Sequence, residues 1–224
     1  MSLLDKLAIL RGTDKSSEAH NYCVKYEKYL PFKRTDKLKI LEIGVLNGES
    51  LRMWKDYFML SEIIGIDIDS RCKENEEERI KVEIGSQADE KFLNEVGEKY
   101  EMFDMILDDG SHINEHVIFS FEKLFKYVKP GGVYIVEDAC TSYWEYYGGG
   151  YDKKDTTIEY FKKLIEHVNL MGLVNFDALD NAHARREDLM IPYTLRHHPN
   201  CITDIESINF LNGIIIITKS NGTR

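Results

Sequence analysis

Phe103-Asp-Met-Ile-Leu-Asp-Asp-Gly-Ser-His112 is an apolar run that stops abruptly in two carboxylates, a glycine, a serine and a histidine. A second run, Val133-Tyr-Ile-Val136, stops the same way in Glu137-Asp138. Short apolar runs bounded by polar and glycine residues read as buried strands. Working outward, further strands are expected over 39–44, 63–67 and 80–84, with helices over 50–58, 88–100 and 113–128 between and after them. Pro130-Gly-Gly132 reads as a turn before the strand at 133–136. Tyr22, Tyr26 and Tyr29 lie at helical spacing and predict a helix over 17–30, ended by Pro31. A helix is expected over about 156–171, and Asn212-Gly213 between apolar runs at 205–210 and 214–218 predicts a hairpin. Strands alternating with helices imply an α/β fold: a mostly parallel seven-stranded sheet, helices on both faces, and a C-terminal antiparallel hairpin.

Composition bounds the alternatives. The chain has 224 residues, 43% hydrophobic and 30% charged, enough for one domain with a full core. A net charge of −10 disfavours nucleic acid and anionic membranes as partners. Cys23, Cys72, Cys140 and Cys201 form no CxxC pair, which argues for a reducing, cytoplasmic setting and against a structural zinc site. No signal peptide is expected, because Asp5 and Lys6 break the first apolar run, and no segment is long enough to span a bilayer.

Parallel sheets bind ligands beyond the carboxyl ends of their strands. The informative residues fall there: Glu42 and Gly44, Asp67, residues 85–89, 108–112, and Glu137 with Asp138. In Leu41-Glu-Ile-Gly-Val-Leu-Asn-Gly-Glu-Ser50, Gly44 allows close backbone approach, and Gly48 and Ser50 open a helix whose first amides are free. Asp67 is placed to accept from ribose hydroxyls. The third glycine of a pyrophosphate fingerprint is missing, which counts against a nicotinamide cofactor and for S-adenosylmethionine.

Gly12-Thr-Asp-Lys15, Leu41-Glu-Ile-Gly44, Ser50-Leu-Arg-Met-Trp54, Gly65-Ile-Asp-Ile-Asp69, Gly85-Ser-Gln-Ala-Asp89, Asp108-Asp-Gly-Ser-His112, Pro130-Gly-Gly132 and Glu137-Asp-Ala-Cys-Thr-Ser-Tyr-Trp144 occur in that order. This series resembles the metal-dependent sugar O-methyltransferases of macrolide biosynthesis, strongly over about residues 11–151 and weakly in the terminal hairpin. The resemblance implies the Rossmann-like class I methyltransferase fold, as a catalytic domain without the additional N-terminal domain of the macrolide enzymes. It divides 1–224 into one domain with a helical cover at 1–35 and a lid or substrate region, carrying a helix, at 143–204. It further implies that Asp109, Glu137 and Asp138 ligate a Mg2+-like ion and that His112 is the general base. Cofactor contacts would come from Thr13, Glu42, Gly44, Asn47, Ser50, Asp67, Ser86 and Gln87. Asp108 would serve the cofactor side or a loop hydrogen bond. Tyr143, Trp144 and His116 would face a sugar or glycosylated metabolite.

Elementary chemistry agrees with that reading. Three converging carboxylates repel one another unless a cation joins them, and a hard divalent ion prefers oxygen ligands. Adjacent residues on a strand point to opposite faces, so Glu137 and Asp138 can share one ion only if the chain leaves strand geometry there. Tyr143, Trp144, Tyr146 and Tyr147 read either as a sugar platform with a Gly148–Gly150 hinge or as a loop anchored by aromatic burial. Other small-metabolite acceptors (phosphate, amine, phenol) remain the alternative, ahead of a nicotinamide oxidoreductase or a non-catalytic binding protein. The homo-oligomeric state is left open.

Overall fold

The computed structural model describes residues 1–168 and 204–221. The expectations for 172–204 (all but its last residue), for His197-His198-Pro199 and Cys201, and for the end of the helix over 156–171 lie outside those residues. In chain order the strands are β1 (Lys39–Ile43), β2 (Glu62–Asp67), β3 (Ile80–Ile84), β4 (Phe103–Asp108), β5 (Val128–Val136), β6 (Ile205–Phe210) and β7 (Ile215–Lys219). They form one sheet in the order β3-β2-β1-β4-β5-β7-β6. The first five are parallel, and β7 runs antiparallel to both β5 and β6. The order reverses between β1 and β4, and a crevice opens at such a switch point beyond the strand ends.

Among the described residues seven α-helices flank the sheet: α1 (Leu3–Arg11), α2 (Cys23–Tyr29), α3 (Glu49–Tyr57), α4 (Glu90–Tyr100), α5 (Asn114–Leu124), α6 (Thr157–Lys163) and α7 (Ile165–Val168). Strand residues alternate between two cores. Ile40, Ile63, Met105 and Ile135 pack with Leu4, Tyr26 and Trp54 on one face. Leu41, Ile64, Ile106 and Tyr134 pack with Leu93, Phe121 and Phe161 on the other. A sheet buried on both sides explains why its strands read as continuous apolar runs. No helix among the described residues is long and apolar enough to cross a membrane.

Three local expectations change. Helix α1 was not foreseen, although Ser2 caps it by accepting from the Asp5 amide at 3.2 Å and Gly12 ends it at φ +78°. The helix expected over 17–30 starts only at Cys23. Asp5, itself buried, accepts from the Ser17 amide (2.7 Å) and hydroxyl (2.8 Å), and holds the preceding segment in turns. The turn at Pro130-Gly-Gly132 is absorbed into β5 as an irregularity, with Phe103 opposite Val128 and Met105 opposite Val133. The Asn212-Gly213 hairpin forms as expected, with the Leu211 amide donating to the Ile214 carbonyl at 2.9 Å.

Candidate active site

Beyond β1, Gly44 adopts φ +93°, and a Cβ there would lie 2.2 Å from the Asp109 carbonyl oxygen. The Asp109 amide donates to the Ile43 carbonyl at 3.0 Å, so the ends of β1 and β4 touch backbone to backbone. Only glycine fits both the conformation and the approach. Asp67, at the end of β2, accepts from the amides of Val45 (2.8 Å), Leu46 (3.2 Å) and Asp69 (2.9 Å). Burial would raise its pKa, but these amides overrule burial and hold it below the usual carboxylate range. The carboxylate therefore stays ionised and fixed at the crevice edge.

Two cavities meet at this point, sharing Gly44, Asp67 and Gly110. The larger, about 510 Å3, is lined by Thr13, Lys15, Asn47, Ser50, His112 and Asp138 among others. The smaller, about 240 Å3, takes Ser86, Gln87 and His116. His116, expected on the substrate side, thus faces the smaller cavity, where its Nδ1 lies 3.0 Å from the Ser111 hydroxyl.

Asp108 lines neither cavity. Its buried carboxylate accepts from Ser120, from Gln87 Nε2 (3.2 Å) and from the Tyr134 hydroxyl (3.3 Å). Gln87 in turn accepts from the Ser111 amide at 2.7 Å, so Asp108 braces the turn that carries the site. Burial pushes the Asp108 carboxyl up to about 6, against the hydrogen bonds that favour its ionised form. Because this lies above the ordinary value of about 3.9, the native state holds the proton longer; the stability so gained is present at low pH and lost as pH rises through about 6. Asp108→Asn, which never ionises, should therefore gain stability relative to the parent between about pH 4 and pH 6. Thermal melts across that window check this, and a relative loss with rising pH would contradict it.

The acidic residues converge around Lys15, which belongs to the Gly12-Thr-Asp-Lys15 motif but was given no role of its own. Lys15 Nζ lies 2.5 Å from Asp109 Oδ2, 2.9 Å from Glu137 Oε2 and 3.5 Å from Glu42 Oε1, with its side chain 1% exposed. Burial alone would lower its pKa, but the three carboxylates raise it well above the ordinary value. Glu137 also accepts from the Tyr26 hydroxyl, and burial and Asp109 push its pKa well up against the pull of Lys15. Glu42 is fully buried with neither oxygen in a well-formed hydrogen bond; burial raises it to about 7 despite Lys15. It therefore stands beneath the site, next to Lys15, and not at the cavity surface. Partners 94 and 122 residues away explain why Lys15 carried no local signal. The one available clue was the excess of acids over cations in the expected site.

After Val136 the chain does leave strand geometry. Asp138 sits at φ +47°. Asp138 Oδ1 accepts from the Tyr22 hydroxyl at 2.6 Å, and its Oδ2 lies 3.7 Å from His112 Nε2. His112, at φ +58°, also has Nε2 4.0 Å from Asp109 Oδ1. Two non-glycine residues in this sparsely populated region flank one point, as constrained sites do. One ligand atom each from Asp109, His112 and Asp138 falls within 4.8 Å of the others, close enough to surround a metal ion.

The Tyr147 ring packs edge-on to His112 at 6.0 Å between centroids. Tyr143 and Trp144 are 51% and 54% exposed. Their loop is tied down by backbone bonds, Gly149 amide to Trp144 carbonyl and Gly150 amide to Ser142 carbonyl, both 2.9 Å. It is anchored, but not by aromatic burial.

No protein-family model matches the sequence. Over 175 residues the chain is 40% identical to demethylmacrocin O-methyltransferase of Streptomyces fradiae, covering 74% of this chain and 44% of that protein. It is 34% identical over 227 residues to L-olivosyl-oleandolide 3-O-methyltransferase of Streptomyces antibioticus, covering 88% and 58%. The structure of the MycE methyltransferase from the mycinamycin biosynthetic pathway, in complex with Mg and SAH, superposes with a TM-score of 0.83 at 30% identity, over 98% of this chain and 55% of that one. The chain spans about half the length of the curated relatives it matches. In sequence and in fold, then, the chain is a relative of the macrolide-sugar O-methyltransferases, built on the class I methyltransferase fold.

Proposed function

We propose that the chain transfers a methyl group from S-adenosylmethionine to a sugar hydroxyl of a glycosylated metabolite, with a divalent ion such as Mg2+ bound beside the cofactor. One observation carries this reading: the crevice edged by Gly44 and Asp67 opens directly onto Asp109, His112 and Asp138. In this assignment Asp67 accepts from the ribose hydroxyls, and Thr13, Asn47, Ser50, Ser86 and Gln87 line the cofactor's path. The relatives' names and the Mg and SAH of the MycE complex support methyl transfer to a glycoside with a divalent ion present.

The donor set fits a hard cation. Asp109 and Asp138 present oxygens to a common point, and Glu137 shares the Lys15 ammonium with Asp109. When bound, a divalent ion supplies positive charge that makes a hydroxyl easier to deprotonate. Asp109 and Asp138 would hold that ion. His112 Nε2 is placed to take the hydroxyl proton, with the Tyr147 ring packed edge-on against it. The cavity walls align nucleophile and methyl donor for in-line displacement. Tyr143 and Trp144, exposed beside the mouth, offer stacking faces to a sugar. The free thiols of Cys23, Cys72 and Cys140 fit the cytoplasmic setting we assign.

Calorimetric titration with S-adenosylhomocysteine tests the cofactor assignment. Saturable one-site binding is expected, weakened at least about tenfold by Asp67→Ala, which removes two charge-assisted hydrogen bonds. Absence of binding heat would defeat the proposal.

A further inference from the structure

We propose that Lys15 is an exchangeable internal cation: its ammonium holds Asp109 and Glu137 together until a divalent ion takes over their charge and Lys15 withdraws. This rests on the metal-dependent reading above and adds to it a residue that positions the ligands.

The geometry supplies the argument. Hard divalent ions take oxygen in preference to imidazole. Around the point shared with His112, the nearest free oxygens are Asp109 Oδ1 and Asp138 Oδ2. The next carboxylate is Glu137, and both of its oxygens are engaged, one by Tyr26 and the other by Lys15 at 2.9 Å. Lys15 therefore sits between Asp109 and Glu137, where a cation joining the two would sit. An ammonium and a divalent ion cannot both occupy that space without strong repulsion.

The segment carrying Lys15 suits exchange. Lys15 belongs to the turns between α1 and α2, in no helix or strand, and reaches the acids on a flexible four-carbon stem. Lys15 also lines the larger cavity. Tyr22 and Tyr26 hold Asp138 and Glu137 from the same N-terminal segment. The carboxylates thus remain in place while the cation between them changes.

Two measurements test this. In the native chain without cofactor, Lys15 should react slowly with an amine-acylating reagent after chelation and faster with Mg2+, read by mass spectrometry against the exposed Lys91. In calorimetry, Lys15→Met should bind Mg2+ about tenfold more tightly or better, since the competing charge is gone. Lys15 reactivity that is unchanged or lower with Mg2+, or a variant that binds no more tightly than the parent, overturns the proposal. The acylation arm needs no variant, so misfolding of Lys15→Met does not shield the idea. If the native chain binds no Mg2+ at all, the metal-dependent reading fails as well; if it binds and Lys15 does not respond, only this inference fails.

Discussion

His112→Ala is expected to lower methyl transfer by about 10²–10⁴-fold while leaving S-adenosylhomocysteine binding close to the parent value. His112 is the one imidazole near Asp109 and Asp138 among the described residues, and a neutral imidazole accepts a proton near neutral pH. Its backbone complicates a simple alanine test. At φ +58°, any side chain other than Gly, Asn or Asp carries a conformational cost of about 1–2 kcal/mol. His112→Asn removes the base and keeps a residue that tolerates this conformation, so the two variants together separate chemistry from backbone strain. If both lose the same large factor in kcat and melt like the parent, the base assignment stands. If Asn restores activity to within about tenfold, His112 serves the backbone and not the proton.

Gly44→Ala is expected to destabilise the fold by about 2–4 kcal/mol and to remove metal-dependent turnover with it. Two effects add. The φ of +93° is unfavourable for alanine, and the new Cβ would lie 2.2 Å from the Asp109 carbonyl. That oxygen belongs to the backbone and cannot rotate away, so Asp109 must move. Gly12→Ala is the control: its φ is +78° but nothing lies within 4 Å, so it carries only the conformational cost, about 1 kcal/mol. Urea denaturation of the two variants compares them. Equal losses would show that the approach of β1 to Asp109 is looser than described.

The five parallel strands were legible because burial on both faces forces continuous apolar runs, and each ended beside an acid or a glycine. Gly44, Asp67, Asp109 and Asp138 fell where the strand-end rule put them. The N-terminal segment was less legible. The tyrosine spacing at 22, 26 and 29 was real, but Asp5 holds Ser17 and delays the helix. The capping residues of α1, Ser2 and Gly12, stood in the sequence unread as such. Lys15 was invisible as a site residue because its partners are distant in sequence and its role arises only when β4 and β5 bring their acids together. The departure from strand geometry after Val136 was foreseen as a requirement, but its form, a left-handed residue at 138 held by Tyr22, is a tertiary matter.

The central claim is metal-dependent transfer of a methyl group from the cofactor crevice to a sugar hydroxyl at the adjoining acids. The most direct test is transfer of labelled methyl from S-adenosylmethionine to deoxysugar-bearing macrolides, measured with Mg2+, after chelation, and after Mg2+ is restored. The account predicts O-methylated product with Mg2+, its loss on chelation and its return when the ion is added back. The same yield of product in chelator as in Mg2+ would contradict it.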